Sequence, residues 1–247
     1  MLNAELFTDA GPYREKNEDA GGVFYNKTEQ QLLVICDGMG GHQAGEVASQ
    51  YVTDALQSRF EEENFIEPER AERWLNATLK SVNRDLYDYA ESHASYHGMG
   101  TTCVCAMVFD NHVVVANIGD SRAYLVNSRE VNQLTSDHSF VNHLVMIGQI
   151  TEEEAFNHPQ RNIITKVMGT DRRVAPDLFV KRTNFYDYLL LCTDGLTDYV
   201  RDHEIQAQLA EEGDLQTQGH ALLRLSEDKA SKDNVSVVLA EIEGDKV

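Results

Sequence analysis

Apolar runs in this chain repeatedly begin or end at an aspartate. LLVIC stops at Asp37, VVVANIG at Asp120 and YLLLCT at Asp194, while Asp233 precedes NVSVVLAEI and Asp19 precedes GGVFY. Several of these runs are apolar at successive positions, the pattern of strands covered on both faces. Phe109–His112 joins two of them through a tight polar turn, and the Asn127–Ser128 step reads as another, so neighbouring strands should pair as antiparallel hairpins. In an antiparallel sheet, the ends of one set of strands and the starts of the other lie on one edge. Five aspartates are therefore expected at one rim. Carboxylates gathered there repel one another unless a cation neutralises them. Ligands that are all oxygen favour a hard ion, Mg²⁺ or Mn²⁺.

The pattern predicts strands over residues 4–8, 22–25, 31–36, 101–109, 112–118, 122–126, 178–182, 188–193 and 235–242. It predicts helices over 44–60, 202–210 and 214–229. A further helix opens at Pro68, where a missing N–H is harmless. There Ala71, Trp74, Leu75, Thr78, Leu79, Val82 and Leu86 recur at three and four. Thr151 to Glu154 fits a capping box. His93 and His97 are one helical turn apart and read as exposed helix residues, since nothing nearby completes a zinc site. The fold class is α+β: two antiparallel β-sheets packed face to face as a sandwich, with helices on both outer faces.

No low-complexity stretch, Pro/Ser-rich linker or repeat divides the 247 residues, so one domain over 1–247 is expected. Acidic residues number 41 against 21 basic, a net charge of −20. Such a surface repels phosphates, so neither nucleic acid nor an anionic membrane is an expected partner. No secretory leader or membrane-length apolar run is visible. Cys36, Cys103, Cys105 and Cys192 lie in apolar runs without metal or redox spacing, as reduced core thiols of a cytoplasmic protein do.

The stretch from Ile35 to Ser49, ICDGMGGHQAGEVAS, leaves two chemistries open. Its glycines could cradle a phosphate, or Asp37 could hold a metal. No Gly-Lys pair makes it a Walker A loop. No cysteine has an arginine six residues on, no D-x-D-x-T offers an aspartyl nucleophile, and there is no HExxH.

RxxNED (Arg14 to Asp19), DGMGGHxxGExAS (Asp37 to Ser49), GTT (Gly100 to Thr102), NIGDSR (Asn117 to Arg122), TDGLTD (Thr193 to Asp198) and DNVSVV (Asp233 to Val238) occur in this order. The set resembles the metal-dependent Ser/Thr protein phosphatases of the PPM, or PP2C-type, family, and the stretch from Leu134 to Gly169 looks like its bacterial branch. The resemblance spans nearly the whole chain and implies the same sandwich. It implies that Asp37 bridges two metal ions, that the Gly38 carbonyl contacts one, and that Asp194 and Asp233 complete the pair. Asp19 would hold metal-bound water. Glu18 occupies a position that is a ligand in some members, and Asp120 with Asp194 would take a third ion. Two or three Mn²⁺ or Mg²⁺ ions per chain follow, and the resemblance makes Asp37 a metal ligand, with the glycines of Ile35–Ser49 not a phosphate cradle.

The activity implied is hydrolysis of phosphoserine and phosphothreonine by a metal-bridging hydroxide, with Arg14 gripping the phosphate oxygens. Phosphorylated proteins would be the substrates, and a Ser/Thr kinase the opposing activity. A monomer is expected. Met39 stands where many eukaryotic relatives have a histidine proposed as general acid; His42, or water on the third metal, would replace it. Tyr186–Asp187 replaces a common Gly-Asp and should alter only a turn. Residues 136–170 correspond to a flap beside the metals. Two other readings keep the fold: a non-catalytic metal-binding signalling module, or a phosphatase for small esters.

Overall fold

The computed structural model describes residues 2–40 and 44–242. Its strands are β1 (Ala4–Asp9), β2 (Asp19–Tyr25), β3 (Gln31–Met39), β4 (Gly100–Thr101), β5 (Cys103–Val108), β6 (His112–Ile118), β7 (Arg122–Val126), β8 (Val131–Gln133), β9 (Asp177–Arg182), β10 (Tyr188–Cys192) and β11 (Val235–Glu241). One sheet runs β1-β11-β10-β7-β8; the other runs β2-β3-β5-β6-β9, with β4 added to β3. Every pairing is antiparallel.

Strand alternation explains why both faces are apolar. Leu33 and Ile35 of β3, with Val113 and Val115 of β6, face Leu125, Leu189, Leu191 and Val238 across the space between the sheets. The intervening Leu32, Val34 and Cys36 point outward and are covered by helices. All four cysteines are free and buried.

The helices are α1 (Ala44–Glu61), α2 (Pro68–Ser92), α3 (Phe140–Met146), α4 (Glu152–Phe156), α5 (Asp194–Thr197), α6 (Asp202–Leu209) and α7 (Leu215–Asp228). In α1, Ala44, Ala48, Val52, Leu56 and Phe60 recur every fourth position and form one buried stripe. Pro68 stands in the first turn of α2, whose predicted stripe is buried at Ala71, Leu75, Leu79, Val82 and Leu86. Trp74 and Thr78 flank it, half-buried. α1 and α2 cover the second sheet, while α6 and α7 pack on the first. The sandwich is thus helix, sheet, sheet, helix, as the sequence pattern predicts.

Four details differ from the sequence reading. The strand predicted over 101–109 breaks at Thr102, whose hydroxyl bonds the Asp37 N–H at 2.9 Å. The chain after Asn127 turns into β8, too short and polar to register as a strand; the turn is made by the Asn127 side chain, which accepts from the Arg129 and Glu130 amides. α3 opens on a Ser139 cap to the Asn142 amide at 3.2 Å and carries no regular stripe. His93 and His97 do not share a helix. His93 ends α2 by bonding Ala90, and a 3₁₀ turn intervenes before His97, which faces Glu91. The Thr151 capping box forms as predicted.

Leu191 is fully buried between the sheets. Leu191→Ala should lower unfolding free energy by about 2–5 kcal/mol in urea titration, since the cavity cannot collapse between two hydrogen-bonded layers. A loss well under about 1 kcal/mol would contradict this packing.

Candidate metal centre

Register places the first two acids. Asp19 opens β2 and pairs directly with Asp37 on β3, so their side chains project from one face within reach of each other. Asp120 follows Gly119 in the β6–β7 turn, Asp194 begins α5 just beyond β10, and Asp233 precedes β11. Asp19, Asp194, Asp120 and Asp233 each raise the Asp37 carboxyl electrostatically, so the five share one pocket. Burial is the larger cause. It carries Asp37 and Asp194 well above the usual carboxylate range, and Asp19 and Asp120 to about 7. Glu18, at the edge, is raised mainly by burial.

The backbone beneath is held by groups the sequence reading passed over. Thr101 Oγ1 and the Thr102 N–H donate to the Asp37 carbonyl at 2.8 and 2.9 Å. Thr102 Oγ1 also meets Ser121 Oγ at 2.7 Å, which ties the Asp37 strand to the turn carrying Asp120. Thr193 Oγ1 donates to Asp19 Oδ2 at 3.0 Å. Asn234 fixes the loop before β2: its Oδ1 accepts from the Glu18 amide at 2.8 Å, and its Nδ2 donates to the Ala10 and Lys16 carbonyls at 2.9 Å each. The Gly38 N–H donates to the Glu18 carbonyl at 3.1 Å. A Cβ on Gly38 would lie 2.1 Å from the Gly45 carbonyl oxygen, so only glycine lets α1 start this close to β3. Ser121, Thr193 and Asn234 each stand beside an aspartate in a quoted motif, while Thr101 and Thr102 form GTT, which has no acid of its own. The signal for the first three was a hydroxyl or amide next to an acid.

Arg14 lies at the rim. Its guanidinium donates to Asp233 Oδ2 at 2.8 Å and to the Lys232 carbonyl at 3.1 Å. Asp198, at the pocket's other side, is gripped by Arg161 at 3.1 Å and was not singled out from sequence. His42 lies outside the described residues. Met39 is partly exposed after Gly38.

The donor set fits a hard divalent cation. Asp120 Oδ1 and Asp194 Oδ1 are buried with no hydrogen-bond partner among the described residues, an arrangement that is expensive unless a cation satisfies it. Among those residues, no three His, Cys, Asp or Glu side chains close around one point. The acids are brought near one another without a closed ligand set, so their mutual electrostatic effect identifies the site better than ready-made coordination does.

A helix-flanked antiparallel sandwich with a carboxylate pocket at one rim is the architecture of a metal-dependent hydrolase. Residues 14–239 match protein phosphatase 2C, and the chain belongs to that family. It is 40% identical to the serine/threonine phosphatase stp of Listeria monocytogenes, covering 97% of this chain and 96% of that one. The crystal structure of serine/threonine phosphatase Stp1 from Staphylococcus aureus superposes with TM-score 0.97 at 66% identity, over 99% of this chain and 96% of that one. The catalytic domain of PstP, solved in complex with two manganese ions, superposes with TM-score 0.83 at 34% identity over 97% of each chain.

Carboxyls whose folded pKa lies above the unfolded value near 4 bind protons more tightly when folded. Without added cation, their contribution to stability is present at low pH and is lost as pH rises from about 4 through about 7. Thermal unfolding in chelator should therefore give a higher Tm at pH 5 than at pH 8. Mn²⁺ should raise Tm more at pH 8 than at pH 5. A chelated protein that gains stability from pH 5 to 8 would contradict the shared pocket.

Proposed function

We propose that this chain is a phosphoprotein phosphatase that hydrolyses phosphoserine and phosphothreonine and reverses a bacterial Ser/Thr kinase. The observation that carries the proposal is the convergence of five aspartates, close enough to act on Asp37, at one rim of the sandwich. In this reading Asp37, the Gly38 carbonyl, Asp194 and Asp233 hold a pair of Mn²⁺ or Mg²⁺ ions, with Glu18 beside them. Asp120 with Asp194 takes a third. Bound there, such ions lower the pKa of water and neutralise charge on the phosphoryl oxygens.

The chain's own groups do the positioning. Asp19, oriented by the Thr193 hydroxyl on Oδ2, would accept a hydrogen bond from water in the pocket. Arg14 transfers one side of its guanidinium fork from Asp233 to the non-bridging phosphate oxygens. The alkoxide leaving group takes its proton from His42 or from water, because the Met39 thioether has none to give. Residues 1–247 act as one catalytic unit. Residues 136–170 form its flap, held to the body by Arg161 on Asp198 and by Arg201, which donates to Glu153 at 2.7 Å and stacks over Phe156. A cleft of about 460 Å³ between flap and body is lined by Asp120 and Asp194. Among the described residues no helix is long and apolar enough to cross a membrane.

Incubation with a phosphothreonine peptide and Mn²⁺ should release phosphate, and chelator should abolish release. Asp37→Asn and Asp194→Asn should each leave the fold intact by circular dichroism and remove detectable turnover. Hydrolysis of p-nitrophenyl phosphate without peptide hydrolysis would support the small-ester reading. Metal binding without any turnover would support the non-catalytic one.

Arg14→Ala should lower kcat/KM for the phosphopeptide about 10- to 100-fold, the loss of a charged hydrogen bond worth roughly 1.5–3 kcal/mol. An unchanged value would remove Arg14 from the phosphate site.

A further inference from the structure

His138 belongs to none of the acid groups, yet it joins three parts of the molecule. Its backbone N–H donates to the Gly119 carbonyl at 3.0 Å, and the Gly119 N–H donates to its ring Nδ1 at 2.9 Å. The two bonds clamp Gly119 from both sides, one residue before Asp120. On the other side, Thr165 donates to the His138 carbonyl from its N–H at 2.7 Å and from Oγ1 at 2.9 Å. The far ring nitrogen, Nε2, lies 3.3 Å from Asp177 Oδ2. Lys166 Nζ holds the other Asp177 oxygen at 2.8 Å and lies 3.3 Å from Nε2.

Because Nδ1 accepts, the proton of the neutral ring is on Nε2, where it donates to Asp177. Burial first, and the Lys166 ammonium second, lower the imidazole pKa and keep the ring neutral. The tautomer is thus set by the Gly119 amide on Nδ1.

Asn117 Nδ2 shares the Gly119 carbonyl at 3.1 Å, and the Thr102–Ser121 hydroxyl pair holds the far side of the turn, but among the described residues the Gly119 N–H is given an acceptor by His138. Gly119 has φ +113°, and a Cβ there would lie 2.6 Å from Thr102. Asp120 Oδ1 is buried without a partner among the described residues, so no bond to that oxygen sets its aim. The backbone of the turn does.

We propose that His138 is a positioning residue: by gripping Gly119 it presents the Asp120 carboxylate to the third divalent ion, and from the start of the flap it ties that presentation to the flap's end through Thr165. This rests on the metal-centre reading above. Side chains that orient a metal ligand without touching the ion change metal affinity about 10- to 100-fold when lost.

Two near-isosteric variants separate this role from simple support of the flap. His138→Asn places an amide oxygen near the Nδ1 position and keeps an acceptor for Gly119. His138→Gln reaches the Nε2 position and leaves the Gly119 N–H without one. Mn²⁺ is titrated calorimetrically into the chelator-stripped full chain, with thermal melts run alongside. Wild type and His138→Asn should bind Mn²⁺ with the same stoichiometry and affinities within about twofold. His138→Gln should weaken only the loosest class of site, by about 10- to 100-fold. His138→Gln binding like wild type, or both variants weakening alike, overturns the proposal while the metal centre stands. A wild-type chain that binds no Mn²⁺ overturns the metal centre and this inference together.

Discussion

Repulsion among buried carboxylates is the constraint around which the rest is arranged. Asp19, Asp37, Asp120, Asp194 and Asp233 come from five separated parts of the chain. Burial raises the cost of ionising Asp37 most, and each of the other four raises it further. A fold that gathered such groups without use for them would be destabilised at neutral pH. The sandwich supplies the opposing stability: three apolar layers, one between the sheets and one under each set of helices, are continuous and closely filled.

The framework also keeps the carboxylates available. The Asp37 backbone is satisfied by Thr101 and Thr102, and the Glu18 backbone by Asn234 and Ser49. Neutral donors and acceptors thus lock the main chain and leave one carboxyl oxygen each of Asp120 and Asp194 unspent. Glycine permits the close approaches this needs. At Gly195, next to Asp194, a Cβ would meet the Asn234 carbonyl oxygen at 1.9 Å.

Much of this was legible in the sequence because two strong regularities carry it. Doubly apolar runs mark strands covered on both faces, and the every-fourth-residue stripe of α1 marks a helix lying on one sheet. The aspartates were readable because each punctuates such a run. What was not legible depended on long-range geometry. Thr102 interrupts a strand to bond Asp37 across 65 positions. β8 is only three residues, and its pairing is dictated by the Asn127 turn. The Arg14–Asp233 pair joins residues 219 apart. His138, in a polar stretch without periodicity, shows its role only through its two bonds to Gly119.

Anomalous diffraction at the manganese edge, from crystals grown with Mn²⁺, tests the account most directly. Peaks should appear among the side-chain oxygens of Asp37, Asp194 and Asp233, with a further peak between Asp120 and Asp194. A map with no anomalous density among those carboxylates would contradict it.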